Sequence, residues 1–443
     1  MHSYSFYYNK YKKNILVRNI LHFFSGNLIV IFISSVVQFI IPKIVSVNDF
    51  GVFKTFTLYL GYTSLLHFGL KDGIYLRLCE ENSNINRVEN DQYFTALTYQ
   101  QLIIFIFLCI ISFFFKGFNI FFLLTLAVAS VVFILITFFE SFYQARKDFK
   151  IVVFLRMIKE GTFLIFIGLL ILFGIQINLN SLIILLLISF VITYVIYVFI
   201  SRKDLRLISI SNLDKLIIRP VYRRGLHQMI GNLGHQFNAN IDKLFITIFY
   251  SSTTFAIYSF GGMFFILSNV LLTSVSTVLL PYLFDPTQNL ANQYLRISKY
   301  LNLTVFFVLP YLILVFVLTK YYYPEYLDSI NIIAYFSFSM VYNGIISISQ
   351  NNFLKVLKLD KKYIQINYLA LSITIVVMFI LWYLKVDTYY FAMLVSVVMF
   401  LRYLGNEIII LKEFKLSVSR IILPNTLIIG VGILSIIIAK LFV

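Results

Sequence analysis

Thirteen apolar runs, each near the ~20 residues that cross a bilayer as a helix, recur along this chain with only short polar stretches between them. They fall near 19–41, 52–70, 95–115, 118–139, 157–177, 181–200, 226–250, 254–280, 300–319, 330–351, 364–384, 388–411 and 421–443. No soluble fold accommodates such a pattern. Of 443 residues 60% are apolar and 12% charged, against about 25% charged in an average soluble domain, so there is too little polar material for a water-facing surface. In hydrocarbon every backbone polar group must be satisfied internally, which leaves helices or a closed barrel. The runs lack the alternating polarity of a barrel strand, so the fold expected is all-α. The most polar run is 226–250. Two cysteines, Cys79 and Cys109, make neither a disulfide framework nor a metal site. The first eighteen residues are polar and basic, and no small-residue cleavage site follows the first run, so that run reads as a retained helix.

The ionisable residues are lopsided, with 36 Lys+Arg against 19 Asp+Glu and a formal charge of +17. Nucleic acid, anionic lipid and the positive-inside bias of a membrane protein all attract such an excess. With the N-terminus taken as cytoplasmic, 28 of the 36 bases fall in cytoplasmic segments and four (Lys43, Lys116, Lys320, Lys385) in outer loops. The excess is therefore mostly a topology signal, and no nucleic-acid partner is expected. One missed span would scramble the split downstream. Outer loops are short, and their tyrosines (Tyr321, Tyr322, Tyr323, Tyr326, Tyr389, Tyr390) suit an interfacial aromatic belt.

An internal repeat organises the runs. Arg18, Leu21, His22, Gly26, Asn27 and Leu28 recur 205 residues later as Arg223, Leu226, His227, Gly231, Asn232 and Leu233, and 18–50 laid on 223–255 matches at ten of 33 positions, Phe50/Phe255 included. Apolar bias yields matched Ile and Leu by chance, but not matched Arg, His, Gly and Asn. The offset covers six spans, an even number, so the halves are expected to be parallel repeats. The expected organisation is an N-terminal six-helix lobe (1–200), a basic linker (201–224), a C-terminal six-helix lobe (225–411) and an additional peripheral helix (421–443). A weaker echo sets Arg146-x-Asp148-x-Lys150 beside Lys358-x-Asp360-x-Lys362.

Residues i, i+4 and i+8 share a helix face. Arg18, His22 and Gly26 make such a row, and so do Arg223, His227, Gly231 and His235, continued by Asn238 and Asp242. That span also carries Asn232, Gln236, Asn240 and Lys243. Such groups cannot face lipid and are expected to line a water-filled cavity. Asp242 is the candidate coupling residue. Lys243, one position on, is expected to point elsewhere. Lys54 is a further buried-charge candidate, while Arg402 and Glu407 are expected to pair with each other. Arg77, Arg87, Arg146 and Lys150 read as topology signals. For each basic residue near an interface the plain alternative is a snorkelling anchor.

Three stretches carry a family resemblance. Asn48-Asp49-Phe50-Gly51-Val52-Phe53 resembles a turn before helix two. His67-Phe68-Gly69-Leu70-Lys71-Asp72-Gly73 resembles a Gly-Leu segment running into a basic stretch. Asp242-Lys243-Leu244-Phe245-Ile246 with Phe255-Ala256-Ile257-Tyr258 resembles an Asp-Lys/Arg helix and the start of helix eight. Together they are similar to the polysaccharide flippases of the multidrug/oligosaccharidyl-lipid/polysaccharide exporter superfamily, the O-antigen type. The resemblance implies 12–13 transmembrane helices in two six-helix lobes with a cationic cavity. It implies transfer of an undecaprenyl-pyrophosphate-linked oligosaccharide repeat unit by alternating access, from the inner to the outer leaflet of a bacterial inner membrane, for O-antigen (lipopolysaccharide) or other surface polysaccharide. Its substrate-binding positions here would be Arg18, His22, Lys54, Arg223, His227 and His235; Asn232 and Asn238 are added from the polar row. Membrane lipids, a polysaccharide polymerase and a chain-length regulator are the candidate partners. The thirteenth span departs from the family's twelve or fourteen.

No cofactor, metal or enzymatic activity is expected, although coupling to H+ or Na+ stays open, since the His pairs would titrate near neutral pH. A membrane polymerase or glycosyltransferase would need a substantial outer loop bearing catalytic groups. A cation-coupled drug exporter of the same superfamily would need several embedded carboxylates, of which the sequence offers one clear case, Asp242.

Overall fold

A computed structural model of the chain describes residues 25–80, 87–114, 119–283, 289–417, 419 and 422–442. Among these there is no strand. Sixteen helices follow one another: α1 (Ser25–Ile44), α2 (Val47–Thr63), α3 (Leu70–Glu80), α4 (Arg87–Phe114), α5 (Ile120–Ala145), α6 (Phe149–Leu172), α7 (Leu179–Ser201), α8 (Lys215–Phe249), α9 (Ser252–Leu283), α10 (Leu290–Leu303), α11 (Val305–Tyr322), α12 (Ser329–Ile345), α13 (Asn351–Val356), α14 (Asp360–Tyr383), α15 (Tyr389–Glu413) and α16 (Ile422–Phe442). The described part of each of the thirteen apolar runs falls mainly on one or two of them. Nine segments of the described chain are long and apolar enough to cross a bilayer. The runs on α2, α6, α8 and α9 are helical but shorter, more charged or only partly described.

Helix ends explain the punctuation. Lys147, Lys358, Lys385 and Lys415 each adopt a left-handed conformation with φ between 53° and 65°. In each case the next residue's N–H reaches back to a carbonyl five residues earlier, as Asp148 N does to Tyr143 O and Leu359 N to Leu354 O. Glycine is the usual residue here, and a lysine pays about 1–2 kcal/mol for the conformation, partly offset by a cation at the negative end of a helix. Gly174 takes the same role after α6 (φ 64°).

These ends also trace the repeat. α1 ends at Ile44 and α8 at Phe249, and α2 starts at Val47 and α9 at Ser252, both offset by 205. The left-handed pairs Lys147/Lys358 and Gly174/Lys385 are offset by 211. The weaker echo is thereby corrected by one residue: Lys147, not Arg146, is the counterpart of Lys358, because the backbone turn and not the charge pattern sets the equivalence.

The chain divides into two compact units. One holds Thr55–Leu233 together with residues up to Val45; the other holds Ser46–Lys54 and Gly234–Val443. In the first unit α5 is the hub, packed on α4, α7, α6 and α3. Its core is aromatic: Phe94, Phe138, Phe139, Phe142 and Tyr197 are buried, with Phe139 stacked on Tyr197 at 5.2 Å. Tyr143 and Ser201 hydroxyls meet at 2.8 Å, with the Tyr143 ring 6.3 Å from that of Tyr197. In the second unit α12 is the hub, packed on α15, α9 and α16. A π-helical turn, Ile346–Gln350, follows α12 and redirects Gln350 towards α15, where its amide donates to the Tyr403 carbonyl at 3.1 Å.

The expected aromatic belt is only partly seen. Tyr321 and Tyr322 are exposed, but Tyr326 is 1% exposed and stacks on Phe260 at 4.4 Å. It belongs to the core of the second unit because the short turn after α11 folds it inward.

Candidate functional site

The polar groups held inside these apolar bodies form separate constellations in each unit. In the first, the α5–α6 hairpin turns at Arg146–Asp148, placing Glu140 and Arg156 at similar counts from the turn and so at similar depth. The Arg156 guanidinium donates to Glu140 Oε2 through Nη2 (2.6 Å) and Nε (3.0 Å), and through Nη1 to Asn27 Oδ1 on α1 (3.3 Å). Lys71 at the start of α3 lies near enough to Glu140 and Asp72 to interact electrostatically; burial lowers its pKa, and burial raises that of Asp72.

In the second unit the α8–α9 hairpin works the same way. Asp242 and Tyr258 lie at nearly equal counts on either side of a two-residue turn, and the Tyr258 hydroxyl donates to Asp242 Oδ2 at 2.8 Å. Asp242 is 3% exposed. Lys243 Nζ stands 3.5 Å from Asp242 Oδ1 and also donates to the Ala239 carbonyl at 3.3 Å. The expectation that Lys243 points elsewhere is thus corrected: its four-carbon stem is long enough to wrap back along the helix. Lys54, on the part of α2 that belongs to this unit, interacts electrostatically with Lys243 and places its ammonium 5.3 Å from the Phe50 ring centre. Lys54 and Lys243 thus both stand near the buried carboxylate of Asp242.

Two further buried charges on α15 have separate partners, against the expected Arg402–Glu407 pair. Arg402 Nη2 donates to Asn367 Oδ1 at 2.6 Å and Nη1 lies 3.4 Å from the Met399 sulfur. Asn238 Nδ2 donates to the Asn367 backbone carbonyl at 3.0 Å. Glu407 accepts from the Tyr294 hydroxyl at 2.5 Å and from Gln350 Nε2 at 2.8 Å. The five-residue spacing of Arg402 and Glu407 turns them to different sides of α15, one towards α14 and the other towards α10 and the π-turn.

Of the residues singled out from sequence, Lys54 and Asp242 come together through Lys243, and Asn238 joins Asn367 and Arg402. Arg223 and His227 are exposed on α8, with His227 Nδ1 2.8 Å from the Arg223 carbonyl oxygen. Arg18 and His22 lie outside the described residues, and the side chains of Asn232 and His235 lie outside those described. Sequence reasoning missed Tyr258 and the Glu140–Arg156 pair, both of which equal counting from a short helix–helix turn would have found. It also missed Tyr294 and Gln350, for which no local signal exists.

The helical fold, with its repeated helix ends and its internally held charges, defines a polytopic all-α membrane architecture. A lipid II flippase, MurJ, in an inward-closed conformation shares that fold at a TM-score of 0.68 and 16% identity, over 95% of this chain and 92% of its own. An outward-facing multidrug-resistance MATE transporter of the MOP superfamily shares it at 0.53 and 12% identity, over 90% and 96%, and a MATE bound to MaL6 at 0.55 and 11%, over the same shares. No curated protein matches in sequence. Residues 16–286 match the family described as polysaccharide biosynthesis protein, and the chain belongs to that family.

Proposed function

We propose that this protein flips a lipid-linked oligosaccharide, carried on undecaprenyl pyrophosphate, from the cytoplasmic to the outer leaflet of a bacterial inner membrane, supplying O-antigen or another surface polysaccharide. It acts as a transporter by alternating access, with a cytoplasmic N-terminus, and not as an enzyme. The observation that carries this reading is the match to the polysaccharide biosynthesis family. The likeness to a lipid II flippase supports it, and so do the two lysines, Lys54 and Lys243, held inside the second unit beside Asp242.

The physics suits that substrate. A buried hydroxyl without a partner costs roughly 4–8 kcal/mol against hydrocarbon, so an oligosaccharide headgroup does not cross lipid unaided. Polar side chains replace its water while the polyprenyl tail stays in the bilayer. Arginine offers a pyrophosphate two parallel hydrogen bonds, which lysine does not match; Arg223 on exposed α8, with Arg18, takes that role. An inside-negative potential favours outward movement of an anion by about 2.3 kcal/mol per charge per 100 mV.

The test is a deletion strain assayed for lipid-linked repeat units on the cytoplasmic leaflet. Accumulation there is expected, and complementation by Arg18→Ala/Arg223→Ala at normal protein level is expected to fall at least about tenfold, the loss of one charged hydrogen bond. Unchanged export would refute the arginine role. Exported but unpolymerised units would point to a polymerase. A second reading, cation-coupled drug export, is favoured by the buried carboxylates Asp242 and Glu407, the latter met by Tyr294 and Gln350 and not by Arg402 as expected from sequence; efflux of cationic dyes by the intact protein would select it.

A further inference from the structure

The segment that leaves α7 and enters α8, residues 202–214, is tied down along its length. Asp204 pairs with Arg146 of the α5–α6 turn at 2.8 Å, and Leu205 is buried. Two backbone N–H groups then donate to α4, Arg206 N to Asp91 Oδ1 at 2.7 Å and Ile208 N to Thr95 Oγ1 at 3.1 Å. Asp214 N donates to Gln92 Oε1 at 3.1 Å just before α8 begins. A chain whose N–H groups are taken by a neighbouring helix has a fixed course, so this segment is a strap and not a loose linker.

The same ties set its depth. α7 is apolar up to Ile200, and the apolar run of α4 opens at Thr95. The strap meets both helices where apolar sequence turns polar, the level at which hydrocarbon gives way to headgroups. It also continues a lipid-facing surface. Val195 and Phe199 of α7 are exposed, and the Arg202 guanidinium folds back to 4.4 Å from the Phe199 ring centre, as a base at a membrane edge does. Beyond it, Leu207 and Ile210 are 59% and 57% exposed, and Leu216 in the first turn of α8 is 83% exposed. On so pinned a backbone these aliphatic side chains cannot turn inward. Lys203, Arg206 and Lys215 are exposed among them, and apolar side chains set between bases suit the boundary of acyl chains and headgroups.

We infer that the strap is a membrane-surface anchor, with Leu207, Ile210 and Leu216 inserted among the glycerol groups and first methylenes of the adjoining leaflet. Held by α4 and the α5–α6 turn on one side and by lipid on the other, it fixes the level at which α8 enters the membrane. The anchor is independent of the substrate moved and of which face is cytoplasmic.

The experiment uses the full chain carrying Cys79→Ser and Cys109→Ser, with one new cysteine from Leu207→Cys, Ile210→Cys or, as the lipid-facing reference, Phe199→Cys. Each is labelled with bimane and reconstituted in phosphatidylcholine vesicles. Two quenchers are compared: phosphatidylcholine bearing a nitroxide near the glycerol end of its acyl chain, and aqueous iodide. The labels at 207 and 210 are expected to lose most of their fluorescence to the nitroxide lipid, as the reference does, and little to iodide. Quenching by iodide without quenching by the nitroxide lipid places the strap in water and overturns the proposal. Protection from both quenchers also overturns it, since another part of the chain would then cover these side chains. Should Leu207→Cys not fold, Ile210→Cys alone must still show the lipid contact.

Discussion

Each unit holds an arginine against a neighbouring helix, Arg156 half-buried and Arg402 buried, and the two are treated differently. Arg156 in the first unit is neutralised by Glu140 through two hydrogen bonds. Arg402 in the second is held by the neutral side chains of Asn367 and Met399, and no carboxylate pairs with it among the described residues. Glu407, five residues on, is likewise met by neutral groups, Tyr294 and Gln350. Removing one partner of a buried ion pair leaves a charge stranded, whereas removing a charge held by amides leaves only a hydrogen bond unmade. The first unit keeps Arg156 paired as structure; among the described residues, α15 of the second keeps two charges, Arg402 and Glu407, that are met by neutral groups.

The sharpest way to break this comparison is Glu140→Ala. It leaves Arg156 with Asn27 alone and is expected to destabilise the protein by about 3–5 kcal/mol, read as a drop in thermal midpoint and in yield; an effect under about 1 kcal/mol would show that the pair is solvated. Next in size are Tyr258→Phe and Tyr294→Phe, each removing one hydrogen bond to a buried carboxylate, about 1.5–3 kcal/mol. Of the two, Tyr258→Phe is expected to cost less, because Lys243 still faces Asp242; chemical denaturation of both variants gives the order. The smallest effect is expected from Arg402→Met, under about 1 kcal/mol, since an apolar isostere replaces a charge without stranding another. A loss as large as that of Glu140→Ala would reveal a counter-ion for Arg402 and erase the contrast between the halves.

Much of this was legible in the sequence. Each of the thirteen apolar runs has a helical body where described, with 52–70 broken at Phe68–Gly69 and 157–177 ending its helix at Leu172, and the offset of 205 read from Arg, His, Gly and Asn matches at the ends of α1 and α8 and the starts of α2 and α9. The weaker echo was misread by one residue because Lys147 and Lys358 are matched by a left-handed turn, which a charge pattern does not reveal. Lys243 was misplaced because helix-face arithmetic locates Cα atoms and not the end of a long side chain. Arg402 and Glu407 were wrongly paired because closeness in sequence stood in for geometry that Asn367, Tyr294 and Gln350, from other helices, decide.

The sequence alone determined where the helices lie and that they come in two related sets, because hydrocarbon leaves the backbone no partner except itself and helix capping is local. Only the tertiary structure decided which polar groups meet. The rotation and crossing of helices follow from packing over their whole length, and a few degrees of rotation move a side chain from one partner to another.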